Sequence, residues 1–378
     1  MGLCLSKQES EQHTTLSQEK FQQEDELNGM QVEQIRLSDE EKVSLKDFEF
    51  LKVLGRGGYG KVVLVNHKSQ SKLYAMKILR KDLIQQMNSR IYMETERNIL
   101  ALVKCPFIVN LYYAFQTKQK LYFVIDFMIG GELFYHLKRI GKMEESWAKF
   151  YCAEIILALE YLHNQNIIYR DLKPENILLD QEGHIKITDF GLCKEDIKEG
   201  DFTTTICGTY DYMAPEIYLK KGHNQSADWY SLGILLYVML QGIPPFYSQN
   251  KRQMIRSRLE RQIEIKTPIS EEATDLIKQL LKNNPKDRLG SDGSNEVKSH
   301  PFFNGIDWND LMDKKVAPPF KPKLFGDRDL RNFDVTFTQE VVQDTPMQSM
   351  VQEDNYDKFS YQEPELFVTM NEGFSLIK

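Results

Sequence analysis

The chain has 378 residues, 41% of them hydrophobic, which is enough to bury a full core and excludes a disordered chain. The net charge of -7 argues against a protein that binds nucleic acid through phosphate contacts. Its five cysteines have no paired spacing, so they indicate neither a disulfide framework nor a zinc site and favour a reducing, cytoplasmic compartment. The most apolar run, from Leu232, is about half the roughly 20 residues that span a bilayer.

Three regions follow one another along the chain. Residues 1–47 are rich in Gln, Glu, Ser and Lys, and we predict a flexible tail there. Over residues 48–303 the pattern predicts a small β-rich lobe of five strands and one helix, a hinge at residues 126–131, and a larger α-helical lobe. Residues 304–378 are punctuated by Pro and Phe, and we expect them to run as an extended segment over the core.

The N-terminus carries a lipidation pattern. MGLCLS matches M-G-x-x-x-S, which predicts N-myristoylation of Gly2. One myristoyl chain holds a protein at a membrane only marginally, so a second signal is needed. The tail that follows is acidic on balance, which leaves palmitoylation of Cys4 as the local candidate. We therefore expect an otherwise cytoplasmic protein to attach to a membrane through its N-terminus.

A glycine-rich turn between the first two predicted strands indicates a phosphate site. Gly55, Gly57 and Gly60 form G-x-G-x-x-G, in which the missing side chains let backbone N–H groups approach phosphates. Dinucleotide-binding folds use the same spacing, but there the motif opens a helix, whereas here the β-type run KVVLVN follows. Lys77 lies on the next predicted strand, where it can reach bound phosphates.

Five motifs in a fixed order carry a family resemblance. The glycine-rich turn, Lys77, YRDLKPEN at 169–176, DFG at 189–191 and APE at 214–216 together resemble the eukaryotic protein kinases over residues 48–303. The resemblance implies a bilobal α+β fold with ATP and Mg²⁺ as cofactors. It implies that the nucleotide lies against the following residues: Leu54, Gly55, Arg56, Gly57, Gly58, Tyr59, Gly60, Lys61, Val62, Lys77, Asp126 and Met128.

The same resemblance implies a role for each charged residue around the phosphates. Lys77 would hold the α- and β-phosphates and pair with an acid on the following helix. Glu94 and Glu96 are both candidates, and Glu96 is preferred because it occupies the family's usual position before the apolar Ile-Leu. Asn176 and Asp189 would bind the magnesium ions that bridge the phosphates.

Asp171 is the implied catalytic base, which would orient the substrate hydroxyl and accept its proton. Lys173, two residues later, is typical of serine/threonine kinases rather than tyrosine kinases in this family. Asp228 would anchor the catalytic loop from a buried helix. Glu216 of APE would form a structural ion pair with Arg288.

Substrate recognition also follows from the resemblance. Glu132 and Glu175 match positions that grip an arginine three residues before the phosphoacceptor, and Thr209 would stand beside the catalytic base. Val238 occupies a place where cyclic-AMP-dependent kinase has a glutamate, so we expect little demand for arginine two residues before the phosphoacceptor. Tyr210 stands where proline is usual, next to the pocket for the residue after the phosphoacceptor.

These features predict a serine/threonine protein kinase that acts as a monomer in intracellular signalling. It would transfer the γ-phosphoryl group of ATP to basic protein substrates. The alternative is a pseudokinase scaffold, which would bind nucleotide without catalysis. Such proteins lose a phosphate or metal ligand, whereas Lys77, Glu96, Asp171, Asn176 and Asp189 are all present.

The C-terminal region resembles the extension of AGC kinases, closest to the protein kinase B and ribosomal-protein S6 kinase branches. PFKPKLFGDRDLRNFD occupies residues 319–334. DTPMQ resembles the turn motif, with Thr345 as phosphosite, and YDKFSY resembles the hydrophobic motif, with Ser360 as phosphosite. Tyr356 stands where the hydrophobic motif usually begins with Phe. We expect the aromatic residues of this motif to dock on the small lobe.

The loop before APE contains the predicted activation phosphosite, Thr205, which upstream kinases would modify. Its phosphate, with about -1.5 to -2 charges, would meet Arg170 and Lys194. Thr203 and Thr204 are interpreted as ordinary loop hydroxyls. A histidine often supplied by the helix after Lys77 is replaced by Tyr92, which predicts weaker coupling between loop and helix. Two cysteines bracket the loop and are expected to be free: Cys193 and Cys207.

Overall fold

The computed structural model has the α+β architecture that the sequence predicts, and it describes residues 43–198, 201–205, 207–342, 356 and 358–364. The predicted modification sites Gly2, Cys4 and Thr345 lie outside these residues. The strands are β1 (Phe48–Gly57), β2 (Gly60–His67), β3 (Lys72–Arg80), β4 (Leu111–Gln116), β5 (Lys120–Asp126), β6 (Gly131–Glu132), β7 (Ile177–Leu179), β8 (Ile185–Ile187) and β9 (Tyr361–Gln362). The helices are α1 (Lys81–Gln86), α2 (Arg90–Leu102), α3 (Leu133–Ile140), α4 (Glu145–Asn164), α5 (Pro215–Tyr218), α6 (Ser226–Gln241), α7 (Lys251–Glu260), α8 (Glu271–Leu280), α9 (Ser294–Lys298), α10 (Trp308–Met312) and α11 (Val335–Thr338).

The smaller lobe is built on a six-stranded antiparallel sheet in the order β1-β2-β3-β5-β4-β9. Its strands are rich in the β-branched and aromatic side chains that fit a pleated surface. A two-residue turn joins β1 to β2, where Gly57 pairs with Gly60. Gly60 leaves no room for a side chain, because an added Cβ would lie 1.9 Å from the carbonyl oxygen of Ile78 on β3.

The larger lobe is arranged around two buried helices. Tyr151, Ile155 and Leu162 of α4 lie at helical spacing and are all buried. Helix α6 is buried on every side from Ser226 to Leu240, as expected of a helix at the centre of a lobe. It ends at Gly242, which adopts the left-handed conformation that favours glycine after a helix. Within the described residues, no helix combines the length and apolar character that crossing a membrane requires.

A second, three-stranded sheet in the order β6-β7-β8 follows the hinge and was not predicted. Its strands have only two or three residues, too few to show a period of two in the sequence. The segment that connects β6 to β7 contains the candidate residues Asp171, Lys173 and Asn176, and Asp189 follows β8. This sheet therefore fixes the base of the cleft.

The C-terminal extension packs along the hinge and returns to the small lobe. Phe333 stacks on Phe127 of the hinge, with ring centroids 5.9 Å apart. The amide of Asn332 donates to the carbonyl of Ile129 at 3.3 Å. Strand β9 then pairs with the edge strand β4 and becomes the sixth strand of the sheet. The extension thus contacts both the hinge and the small lobe.

Candidate active site

Lys77 is held at the cleft by two carboxylates. Its Nζ lies 2.7 Å from Oε1 of Glu96 and 2.6 Å from Oδ1 of Asp189. Glu94, the alternative partner, instead accepts from Arg90 at 2.9 Å on the surface of α2. The helix thus brings Glu96, and not Glu94, against the lysine that lies on β3.

The three charges shift one another's ionisation. Burial disfavours the charged form of Lys77, but Asp189 and Glu96 outweigh it and raise the lysine's pKa. Burial raises the pKa of Glu96, which Lys77 opposes. The ammonium of Lys77 lowers the pKa of Asp189. A cationic lysine beside an ionised Asp189 is therefore the favoured state, and it suits the binding of phosphates and a metal ion.

In the glycine-rich turn, the glycines and the charged side chains have different surroundings. A Cβ added at Gly55, Gly57 or Gly58 would meet nothing within 4 Å, so these glycines leave open space over the cleft. The side chain of Arg56 turns away and forms an ion pair with Glu340 at 2.6 Å. Arg56 and Lys61 both line a separate basic cavity of about 130 Å³. The glycines therefore leave the backbone of this turn accessible to a nucleotide.

Asp126 and Met128 are the two hinge residues that were predicted to lie against the nucleotide. The carboxylate of Asp126 accepts from Lys186 at 2.6 Å and from the Tyr112 hydroxyl at 2.8 Å. It also accepts from the backbone N–H of Asn110 at 2.8 Å. Its side chain is thus occupied, which leaves backbone groups of the hinge for an adenine ring.

Asp228 on α6 fixes the backbone of the catalytic loop. Its two oxygens accept from the N–H groups of Tyr169 and Arg170 at 2.9 and 2.8 Å, and from Nε2 of His163 at 2.8 Å. Arg170 has a φ of 68° and Asp189 a φ of 62°, both in the left-handed region that costs non-glycine residues energy. Such strain clusters at functional sites, and here the two strained residues flank the site from separate loops.

Asp171 is surrounded by groups that orient its carboxylate. Its Oδ2 accepts from Nζ of Lys173 at 2.6 Å and from Nδ2 of Asn176 at 3.0 Å. Its Oδ1 accepts from the backbone N–H and Oγ1 of Thr209 at 3.1 and 3.0 Å. Lys173 also donates to Oγ1 of Thr209 at 3.0 Å. The structure therefore brings the predicted base, lysine, amide and threonine together.

Glu132 and Glu175 form an acidic surface at the end of β6. Partial desolvation, and next the charge of Glu175, raise the pKa of Glu132. Oε2 of Glu175 is buried without a hydrogen-bond partner among the described residues. Two carboxylates that repel each other are suited to bind a guanidinium from outside.

Arg170 holds the start of the activation segment. The Arg170 guanidinium donates to the carbonyls of Leu192 at 2.6 Å and Cys193 at 2.9 Å, and its Nη1 is buried without a partner among the described residues. Lys194 and Thr205 are exposed, and no hydrogen bond in the described part of the chain joins them. One donor of Arg170 is thus unused next to the loop that carries Thr205.

Thr203, interpreted from the sequence as an ordinary loop hydroxyl, lies in a part of the loop that is paired with another segment. It is buried and exchanges two backbone hydrogen bonds with His223, at 3.0 and 2.9 Å. The sequence gives no signal for this pairing, because it joins segments 20 residues apart without a shared motif. Cys193 and Cys207 are buried and free, as expected.

Glu216 and Arg288 form a buried ion pair below the activation segment. The guanidinium donates to both carboxylate oxygens, at 2.7 and 2.9 Å. It also donates to the carbonyl of Ser226 at 2.8 Å. A bidentate contact of this kind ties α5 to the loop before α9.

The hydrophobic motif is docked on the small lobe. Tyr356 and Phe359 are buried, and the Phe359 ring meets Phe123 edge-on at 5.2 Å. Arg97 of α2 donates to the carbonyls of Phe359 and Ser360, both at 3.2 Å. Arg97 directly follows Glu96, so the docked tail contacts the helix turn that carries the partner of Lys77.

Sequence reasoning missed Arg258 on α7, which is 1% exposed. An arginine in a polar helix is usually expected at the surface. The signal available was its spacing of four from the buried Met254, which places both on one helix face. Arg258 contacts the loop that follows Thr209.

Together the lysine–glutamate pair, the oriented aspartate and the second aspartate at Lys77 define a phosphoryl-transfer site. The sequence matches the protein kinase domain family over residues 48–303, and the chain belongs to that family. It is 51% identical over 298 residues to serine/threonine-protein kinase Sgk1 of Danio rerio. The aligned residues are 78% of this chain and 69% of that protein.

Two further relatives extend the comparison. Serine/threonine-protein kinase Sgk1 of Homo sapiens is 50% identical over 298 residues, 78% of this chain and 69% of that protein. Protein kinase 2 of Dictyostelium discoideum is 52% identical over 306 residues, 81% of this chain and 63% of that protein. These findings confirm the predicted class, a serine/threonine protein kinase of the AGC group. They give no support to the pseudokinase alternative.

Proposed function

We propose that this protein transfers the γ-phosphoryl group of ATP, with Mg²⁺, to serine or threonine of protein substrates. The observation that carries the proposal is Lys77, held at 2.7 Å from Glu96 and 2.6 Å from Asp189. Phosphoryl transfer depends on positioning and charge stabilisation rather than covalent chemistry. A cation fixed on a strand by a buried helix carboxylate supplies both.

Asp171 is the proposed base for the substrate hydroxyl. Four donors from Lys173, Asn176 and Thr209 hold its two oxygens, which fixes the carboxylate's direction. Lys173 reaches both Asp171 and Thr209, so it can also neutralise charge on the phosphoryl group during transfer. Asp171 would orient the incoming hydroxyl and accept its proton.

Asn176 and Asp189 are the proposed metal ligands. The amide nitrogen of Asn176 is used on Asp171, so its amide oxygen is the atom left to act as a ligand. The described residues contain no group of three His, Cys, Asp or Glu side chains that could hold a metal ion. This fits Mg²⁺, which usually takes one or two protein carboxylates and completes its shell with phosphates and water. The ion would neutralise phosphate charge.

The proposed substrates carry an arginine three residues before the phosphoacceptor. Glu132 and the unpartnered Oε2 of Glu175 supply the anionic surface for it. A charge-assisted hydrogen bond of this kind contributes about 1.5–3 kcal/mol. Loss of either carboxylate should therefore lower kcat/KM by roughly tenfold or more on such peptides.

Phosphorylation by upstream kinases is the proposed switch. Nη1 of Arg170, which has no partner among the described residues, would donate to phosphate on Thr205, with the exposed Lys194 as second cation. Phosphate on Ser360 would add to the contacts that already dock the hydrophobic motif. Thr345 is the third proposed site, in the turn motif.

We also propose that the protein works as a cytoplasmic monomer that attaches to membranes through its N-terminus. The support is the M-G-x-x-x-S pattern at Gly2 with Cys4 as second acylation site. Gly2→Ala should move the protein to the soluble fraction, and Cys4→Ser should do so partly. If Gly2→Ala fractionates as wild type does, the anchor is wrong.

The activity is tested with purified protein, ATP, Mg²⁺ and an Arg-x-x-Ser peptide. Lys77→Met and Asp189→Asn should be inactive, while Glu94→Gln, which changes a surface carboxylate of the same helix, should keep wild-type activity. Phosphopeptide is detected by mass spectrometry. A wild-type protein that binds ATP and yields no phosphopeptide after phosphorylation of Thr205 would contradict the proposal.

A further inference from the structure

Tyr59 is one of the two residues that join β1 to β2, and it is held by both its main chain and its side chain. Its carbonyl accepts from the backbone N–H of Arg80, at the end of β3, at 2.9 Å. Its ring packs against the core, and its hydroxyl lies 2.7 Å from Oγ of Ser89. A Cβ added at the neighbouring Gly57 or Gly58 would meet nothing within 4 Å. Tyr59 therefore attaches an otherwise open stretch of the turn to the start of α2.

The hydroxyl of Ser89 is used in an unusual way. Ser89 is the N-cap residue of α2, a position where serine usually accepts from a backbone N–H of the helix. Within the described residues its side chain makes no such cap, and its Oγ donates to the carbonyl of Met87 at 3.1 Å. A serine hydroxyl has one proton to donate, so the Tyr59 hydroxyl is the donor to Oγ. Ser89 is 2% exposed, and tyrosine thus supplies a hydrogen bond that the helix does not.

This hydrogen bond joins the two parts of the proposed phosphate site. The carboxylate of Glu96, on the same helix, holds Nζ of Lys77 at 2.7 Å. Ser89 precedes Glu96 by seven residues, close to two helical turns, so the two side chains lie on one face of α2. The helix therefore contacts both the glycine-rich turn and the lysine that is proposed to hold the phosphates. A single element determines where both lie.

We propose that Tyr59 and Ser89 are positioning residues for ATP, because their hydrogen bond holds the glycine-rich turn in register with Lys77. The inference rests on the proposed kinase function. Glycines give the turn many alternative conformations, and ATP binding selects the one that meets the phosphates. Without the bond, that conformation is populated for less of the time, and the apparent affinity for ATP falls by the same fraction. The hydroxyl of Tyr59 thus acts on the nucleotide through the backbone of the turn.

The test measures the Kd of ATP with Mg²⁺ by titration calorimetry, which does not require phosphoryl transfer. Tyr59→Phe keeps the ring and removes only the hydroxyl, so it should weaken binding about fivefold, the effect of one neutral hydrogen bond. Ser89→Ala should weaken binding to a similar extent. The double variant should bind no more weakly than either single variant, because both remove the same bond. The matched control is Tyr92→Phe, which removes another tyrosine hydroxyl from α2 and should bind ATP as wild type does.

Kinetics with the Arg-x-x-Ser peptide separate positioning from a merely structural role. Tyr59→Phe should raise the KM for ATP by the same factor and leave the KM for the peptide unchanged, whereas general loosening of the small lobe would change both. The inference is overturned if Tyr59→Phe binds ATP as tightly as wild type, or if the effects of the two substitutions multiply in the double variant. A wild type that binds ATP without transferring phosphate would contradict the proposed function alone, since the calorimetry still decides the role of Tyr59.

Discussion

The docked tail makes Phe359→Ala an informative substitution. The Phe359 side chain is 2% exposed and packs edge-on against Phe123 at 5.2 Å and against Tyr356 at 6.1 Å. Truncating a buried phenylalanine to alanine costs about 3–5 kcal/mol. The residue lies in a tail that can leave the lobe while the rest stays folded, so the cost falls on docking rather than on global unfolding. A loss of 3 kcal/mol lowers the docking equilibrium constant by about two orders of magnitude.

Undocking should reach the active site through α2, which the tail contacts at Arg97 and Arg90. Arg97 would lose its two acceptors on the tail, and Glu96 is the preceding residue on α2. We expect faster hydrogen exchange of backbone amides in Arg90–Leu102 and a lower kcat, because the pair of Glu96 with Lys77 persists for less of the time. The assay is hydrogen-exchange mass spectrometry combined with peptide kinetics.

The matched control is Phe325→Ala, which removes a ring of the same extension that is 80% exposed. It should change neither exchange in α2 nor kcat. The reasoning fails if Phe359→Ala leaves α2 protection and kcat at wild-type values. It also fails if the two phenylalanine variants behave alike.

Three further predictions concern other parts of the molecule. Asp189→Asn should abolish phosphoryl transfer and keep the wild-type melting temperature, as measured by peptide kinetics and calorimetry. Glu216→Gln should lower the free energy of unfolding by about 3–5 kcal/mol in urea titrations, because it leaves the buried charge of Arg288 unpaired; an unchanged midpoint would refute this. Burial, and next Arg170, lower the pKa of His223 from 6.5 to about 4, so the unfolded chain takes up a proton first. Stability should therefore fall as pH drops from 6.5 toward 4, by about 3 kcal/mol in total, and His223→Phe should flatten this slope in urea midpoints measured across that range.

The sequence predicted the fold and the family because its motifs carry fixed chemistry at fixed spacing. The choice of Glu96 over Glu94 depended on position before an apolar pair, and the structure places Glu96 at Lys77 and Glu94 at Arg90. Gly60 was predicted as part of the glycine-rich turn. Spacing alone does not reveal that β3 packs so closely against Gly60 that a side chain would not fit.

Other features depend on tertiary contacts that no local pattern encodes. Strands β6, β7 and β8 are too short for a period, and their pairing is set by the surrounding helices. Arg258 is buried only because three rings and three carbonyls converge on it from distant segments. The burial of Thr203 could not be predicted, because its backbone partner His223 is brought beside it only when the chain folds.

Strand β9 has a consequence for the protein at high concentration. It covers only Tyr113 and Ala114 of the edge strand β4, and the N–H of Glu363 adds one bond to the carbonyl of Tyr112. The covalent tether also raises the effective concentration of the tail at this edge. When it leaves, the edge exposes unpaired backbone groups that accept an equivalent strand from another molecule. Tail exchange between two copies would then produce a domain-swapped dimer in which each molecule completes the sheet of the other.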